Sequence, residues 1–106
     1  MYPKYFRDKI SNELEATCTY LKKALDAVKC HPEWSEKFKQ MSDDRYKHAL
    51  SLYGMFMELY KESKEQDTYI NSVRDGIIDN ITAQSQKIES YKMSYNLMLG
   101  KVGDNI

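Results

Sequence analysis

Glycine and proline, the residues that interrupt regular structure, supply only four and two of the 106 positions. Both prolines, Pro3 and Pro32, stand where a helix can begin, since a first turn has no use for the amide proton they lack. So few breakers exclude a turn-rich architecture and imply a small number of long elements. Net charge is also absent, with sixteen basic residues against sixteen acidic ones. No overall field draws such a chain to nucleic acid or to an anionic membrane. The basic residues are interleaved with acids, so they form no nucleic-acid-binding stripe. Long apolar runs are missing as well: the longest, Ala49 to Tyr60, is broken by Ser51, Gly54 and Glu58 and is too short to cross a bilayer. The opening residues, Met-Tyr-Pro-Lys-Tyr-Phe-Arg-Asp, hold no apolar core of a secretory signal. Only two cysteines are present, Cys18 and Cys30. On one helix they would be separated by about 18 Å, far beyond disulfide reach. Free thiols and a reducing, cytoplasmic location are expected. The sequence has no P-loop, Cys-x-x-Cys, Gly-x-Ser-x-Gly or zincin motif.

What is present suits amphipathic helices: 42% hydrophobic residues beside 30% charged ones. The first helix is expected from about Lys4 to Lys29. Leu14, Cys18, Leu21, Leu25 and Val28 make one apolar stripe on it. Phe6, Ile10, Glu13, Thr17, Tyr20, Ala24 and Ala27 make a neighbouring stripe, polar only at Glu13 and Thr17. Cys30-His31-Pro32 breaks the pattern, because the residue before proline is pushed out of the α region. A second helix is expected from Pro32 to about Lys64. Its seam reads Trp34, Phe38, Met41, Arg45, His48, Leu52, Met55, Leu59, in strictly alternating steps of four and three. Ser42-Asp43-Asp44 resembles a fresh helix start, but the seam passes through it without changing phase, so one continuous helix is expected. Tyr46, Ala49, Leu50, Tyr53, Phe56, Met57 and Tyr60 cover an adjoining face, which predicts that this helix is central.

A polar stretch from Glu62 to Asp67 leads to a third helix expected over Thr68–Leu99. Its inner face is Ile70, Val73, Ile77, Ile81, Ile88, Tyr91, Tyr95 and Met98, with Gln84 as the exception. Gly100 is expected to end it and to leave 101–106 as a flexible tail. The reading is an all-α fold, one domain over 1–100, with an antiparallel hairpin and a long third helix. Such broad apolar faces predict completion of the bundle by oligomerisation, as a homodimer.

Three polar residues stand inside the stripes. Glu13 lies eighteen residues before the turn at His31 and His48 seventeen after it, so an antiparallel hairpin brings them to nearly one level, beside Arg45. On the residues alone, this set reads as a buried ion pair with a hydrogen-bonded histidine, since buried charges are paired. The alternatives are a metal site through Glu13, Asp44 and His48, or solvent-facing side chains. Asp43 and Lys47 read as an ordinary i, i+4 pair, and His31 as a turn residue. Tyr53, Met57, Tyr60, Tyr91, Tyr95 and Met98 form a candidate contact surface for a protein partner, against the plainer reading as core.

The segments Glu13-Leu-Glu15-Ala16-Thr-Cys-Thr-Tyr20, Pro32-Glu-Trp and Met41-Ser-Asp43-Asp44-Arg45-Tyr-Lys-His48 resemble the first half of ferritin-like and rubrerythrin-like proteins. The likeness is closer to short rubrerythrin-like proteins associated with gut bacteria and their phages. It covers residues 10–60 with useful motifs and the last helix loosely. It implies a ferritin-like hairpin in which Glu13, Tyr20 and His48 match family positions. It also implies iron or another divalent transition metal as the cofactor. The departure is at Arg45, where the family places a metal-bridging glutamate; a guanidinium cannot ligate a metal and repels one. Asp44, one turn before His48, could substitute, though Asp43 and Asp44 after Ser42 also read as acids that complement a helix N-terminus, and the last helix has no histidine. The expectation is therefore a non-enzymatic, phage-type accessory protein that modulates a host through a protein partner, with no cofactor. The alternative is a ferritin-like metal protein using Glu13, Asp44 and His48 at a subunit interface.

Overall fold

The computed structural model describes residues 2–63 and 68–104, with side chains as far as Gly100. Three α-helices follow one another: α1 (Tyr2–Ala27), α2 (Pro32–Glu62) and α3 (Thr68–Asp104), with no strand among the described residues. Pro32 sits in the first turn of α2, and the amide of Ser35 donates to the carbonyl of His31 at 2.9 Å to start the helix. Ser42-Asp43-Asp44 lies inside α2 without interruption. Lys39, one turn before Asp43, takes its carboxylate at 2.8 Å, in place of the expected Lys47. The helix closes on Ser63, whose amide donates to the carbonyls of Leu59 and Tyr60.

Packing is organised around α1, which lies against both α2 and α3. Phe6, Ile10, Glu13, Leu14, Thr17, Leu21 and Ala24 are buried on it, and Val28 just past its end, which combines most of one expected stripe with alternate members of the other. Helix α2 runs antiparallel to α1: the Ser35 hydroxyl donates to the Ala24 carbonyl at 2.6 Å, and the Ser42 hydroxyl to the Thr17 carbonyl at 2.8 Å. Helix α3 returns parallel to α1. The Cys18 thiol donates to the Gln84 side chain at 3.3 Å, and Tyr95 packs on Ala24 and Val28. Met98, a turn further along α3, still packs on the same cluster.

Two expectations for α2 are corrected by this arrangement. The central helix is α1, not α2. The buried row of α2 is Ser35, Ser42, Ala49 and Phe56, a heptad repeat, with Tyr60 beyond it. The apolar seam from Trp34 to Leu59 lies about a quarter turn round the helix from that row. Trp34, Met41, His48 and Met55 on it are exposed, while Phe38, Leu52 and Leu59 are half-buried. Small side chains let the two backbones approach closely enough for serine hydroxyls to reach carbonyls, which bulkier seam residues would prevent. The expected inner face of α3 faces α1 throughout: Ile70, Val73, Ile77, Ile88 and Tyr95 are buried, with Ile81, Gln84, Tyr91 and Met98 half-buried between them. Gly100 does not end α3, which continues to Asp104; the glycine adopts no left-handed conformation. The expected connection from Glu62 falls on 64–67, outside the described residues, as do the last two residues of the expected tail.

The result is a rod of 60 × 19 × 15 Å with a radius of gyration of 16.9 Å. A compact chain of this size has a radius of about 13 Å. The core is two clusters along that rod. The larger joins Phe6, Ile10, Leu14 and Leu21 of α1 to Ala49 and Phe56 of α2 and to Ile77 and Ile88 of α3. The smaller gathers Ala24, Val28 and Tyr95 near the hairpin turn. Each fully buried side chain of this size contributes about 1.5–3 kcal/mol.

The heptad row makes α2 sensitive to added volume. Ala49→Leu should lower unfolding free energy by about 1–3 kcal/mol through overpacking, measured by urea denaturation, while Leu50→Ala, at the exposed neighbour, should change it little. The two thiols should also separate. Burial pushes the Cys18 thiol pKa up, Lys87 opposes the rise and Glu15 adds to it, whereas Cys30 is exposed. Iodoacetamide followed by peptide mass spectrometry should label Cys30 first in the folded protein, with Cys18 catching up only in denaturant. Equal rates would remove the thiol–amide contact from the fold.

Candidate functional site

Glu13 is the one carboxylate in the buried face of α1, with 5% of its surface exposed. Its height on α1 is set by the serine contacts, which fix the register of α2. That register brings Arg45 opposite: Nη1 donates to Oε1 at 3.3 Å and to Oε2 at 3.4 Å. One turn along α2, His48 Nδ1 lies 3.8 Å from Oε2. Lys9, one turn before Glu13, places Nζ 3.9 Å from Oε1. Glu13, Arg45 and His48 are thus brought together, but only the carboxylate is buried. The Arg45 side chain is 43% exposed and that of His48 62%. The cluster is a buried anion under a solvent-facing cationic rim, and a charge taken out of water in this way requires such partners.

The polar groups beneath it are satisfied locally. Thr17, the other polar residue of the face, donates its hydroxyl to the Glu13 carbonyl at 2.8 Å while its own carbonyl accepts from Ser42. Among the described residues, no buried side-chain nitrogen or oxygen lacks a partner. Asp44 is exposed on α2, and no group of three or more His, Cys, Asp and Glu side chains is arranged to hold a metal among the described residues. The donor set therefore does not fit iron or a similar ion: one carboxylate and one distant imidazole are present, and the position between them carries a guanidinium.

The residues expected as a contact surface divide differently. Tyr60 and Tyr95 are buried core residues, and Tyr53, Met57, Tyr91 and Met98 pack half-buried against the two clusters. Their aromatic and thioether groups pack between the helices, and the four half-buried ones keep part of their surface open to solvent. Tyr60 also ties α2 to α3: its hydroxyl donates to Asn71 at 2.7 Å and accepts from Arg74 at 2.6 Å. The Arg74 guanidinium lies 4.9 Å from the Tyr60 ring centre, and its hydrogen bonds to Asp75 push its pKa up further. On the opposite edge, Tyr20 stacks on Phe38 at 6.4 Å, and His31 stacks on Trp34 at 4.0 Å.

Sequence reasoning missed Lys9, Ser35, Ser42 and the Cys18–Gln84 contact. The one available signal was the seven-residue spacing of Ser35, Ser42 and Ala49, a repeat of small residues that a search for apolar stripes passes over. No family model, no curated protein and no solved structure matches this chain.

Removing one partner exposes how the cluster is balanced. Arg45→Ala should destabilise the chain by about 1–3 kcal/mol in urea denaturation, because Glu13 keeps only longer contacts to Lys9 and His48. The double substitution Glu13→Leu with Arg45→Leu should recover most of that loss, since an apolar pair no longer has a charge to desolvate.

Proposed function

We propose that this chain is a non-enzymatic helical interaction protein on a ferritin-like hairpin, acting as a homo-oligomer through its surface. On that resemblance, the Glu13–Arg45 ion pair takes the place of the metal that such hairpins hold. The observation that carries this reading is the guanidinium of Arg45 within 3.4 Å of both Glu13 oxygens. A bridging metal needs that carboxylate free and a second anionic donor on α2, and the cation takes the one and replaces the other. The charge is neutralised by the protein itself. The resemblance of residues 10–60 to short rubrerythrin-like proteins supports the scaffold, and the phage association of those proteins supports a host-directed accessory role. Support for action through the surface comes from the exposed large apolar side chains, Trp34, Met41 and Met55 among them.

Anaerobic loading with Fe(II), Mn(II) and Zn(II), followed by desalting and elemental analysis, tests the reading. The chain should retain no stoichiometric metal, and Arg45→Glu, which restores a carboxylate three residues before His48, should acquire it. Near-stoichiometric metal in the unmodified chain, lost in His48→Ala, would make this a metalloprotein and overturn the proposal.

A further inference from the structure

The α1/α2 hairpin has two flanks. Helix α3 covers one of them, where Tyr60 meets Asn71 and Arg74 and where Lys92 lies 5.3 Å from the ring centre of Tyr46. On the other flank runs the seam of α2 from Trp34 to Leu59, with Glu13 beside its middle. Among the described residues no helix lies over its outer edge: Trp34 is 55% exposed and Met55 54%, while Phe38, Leu52 and Leu59 on its inner edge are half-buried. Its steps of four and three are those of a coiled-coil seam, over about 38 Å of helix.

The seam is also a palindrome. Its midpoint falls between Tyr46 and Lys47, and every position has an equivalent at the same distance on the other side. In an antiparallel coiled coil, the two kinds of seam position face one another across the interface. Turned end over end about that midpoint, the seam meets its own copy in that alternation. Trp34 faces the partner's Leu59, Phe38 the partner's Met55, and Met41 the partner's Leu52. Arg45 faces the partner's His48. Large apolar residues thus meet at both ends, and the polar pair meets at the centre. A one-heptad slip in either direction would lay a methionine on Arg45 and a leucine or phenylalanine on His48 and penalise the wrong register.

Charge selects the same arrangement. A parallel pairing would place Arg45 directly on the partner's Arg45, a like-charge contact. The antiparallel pairing sets each Arg45 beside a histidine and brings two neutral Glu13–Arg45 pairs to the two-fold axis. There the partially exposed guanidinium of each chain gains a second buried carboxylate within reach of its side.

We infer that the occupant of this flank is a second copy of the chain, docked antiparallel through α2 in an isologous dimer whose axis passes beside the Glu13–Arg45 pairs. The inference rests on the oligomeric reading above and names the surface and register it uses. The two hairpins form a four-helix core, and α3 of each copy lies outside it.

Sedimentation equilibrium on the full chain tests the association, and the emission of Trp34, the one tryptophan, reports the surface. The chain should be a dimer whose emission shifts to shorter wavelength as concentration rises. Met41→Asp with Met55→Asp, at two exposed positions, should give a monomer of unchanged helical circular dichroism. Register is tested by oxidising Met41→Cys with Leu52→Cys in a Cys18→Ser, Cys30→Ser background. Within one chain those positions are about 16 Å apart, so any disulfide joins two chains. The double variant should cross-link, and Met41→Cys alone should not. Ready cross-linking by Met41→Cys alone would mean a parallel pair and overturn the inference. A dimer indifferent to both aspartates and uncross-linked by the double variant would overturn the seam while leaving the oligomeric reading intact. A monomer at every concentration would overturn both.

Discussion

The close approach of α1 and α2 is the contact on which the rest of this structure depends. It exists because one row of α2 is small, Ser35, Ser42 and Ala49, and each fits against a bulky or carbonyl-bearing stretch of α1. The two serine hydroxyls donate to carbonyls of α1 one heptad apart, and those bonds act as pins: they fix both the direction and the axial register of the hairpin. An apolar contact alone would tolerate sliding, because leucine against leucine is nearly indifferent to a shift of one turn. With the register pinned, Glu13 has Arg45 opposite it, and the far side of α1 presents Cys18 and Leu21 to α3.

The ion pair follows from that constraint and adds to it. A carboxylate at 5% exposure carries a desolvation cost that one guanidinium at hydrogen-bond distance offsets, and the partial exposure of Arg45 keeps the cation's own cost low. Pairs of this kind contribute modestly to net stability and more to choosing one arrangement over its neighbours. Here both serve one end. A shift of α2 by a turn would leave Glu13 against Met41 or Ala49, buried with only the longer contact to Lys9.

Much of the fold was legible because hydrophobic periodicity is regular where a helix meets one neighbour. Helix α3 shows this: its inner face, from Ile70 to Met98, could be read directly, and Gln84, its one polar exception, accepts from the Cys18 thiol in the structure. The hairpin and the common level of Glu13 and His48 were legible from chain length alone, since the turn at His31-Pro32 sets the count on each side. Helix α2 was misread because a strict apolar seam draws attention that a row of serine and alanine does not. Burial there is decided by steric closeness, and transfer free energy carries no signal for it. The end of α3 was misread for a related reason: Gly100 permits a left-handed turn but does not require one, and the helix runs on. The degree of burial within the site was not legible. Periodicity places Arg45 and His48 on a face, but only the packed structure shows that this face looks outward.

A rod 15 Å thick has a core one side chain deep. The two clusters, around Phe56 and around Val28, are separate along the rod, and α2 reaches the smaller one through Phe38 alone among its half-buried apolar residues. Such a molecule does not have a centre that must melt as a whole. The end that holds Ala24, Val28 and Tyr95 can open while the cluster around Phe56 stays closed, and amide exchange should then grade along the long axis, with no single protected nucleus.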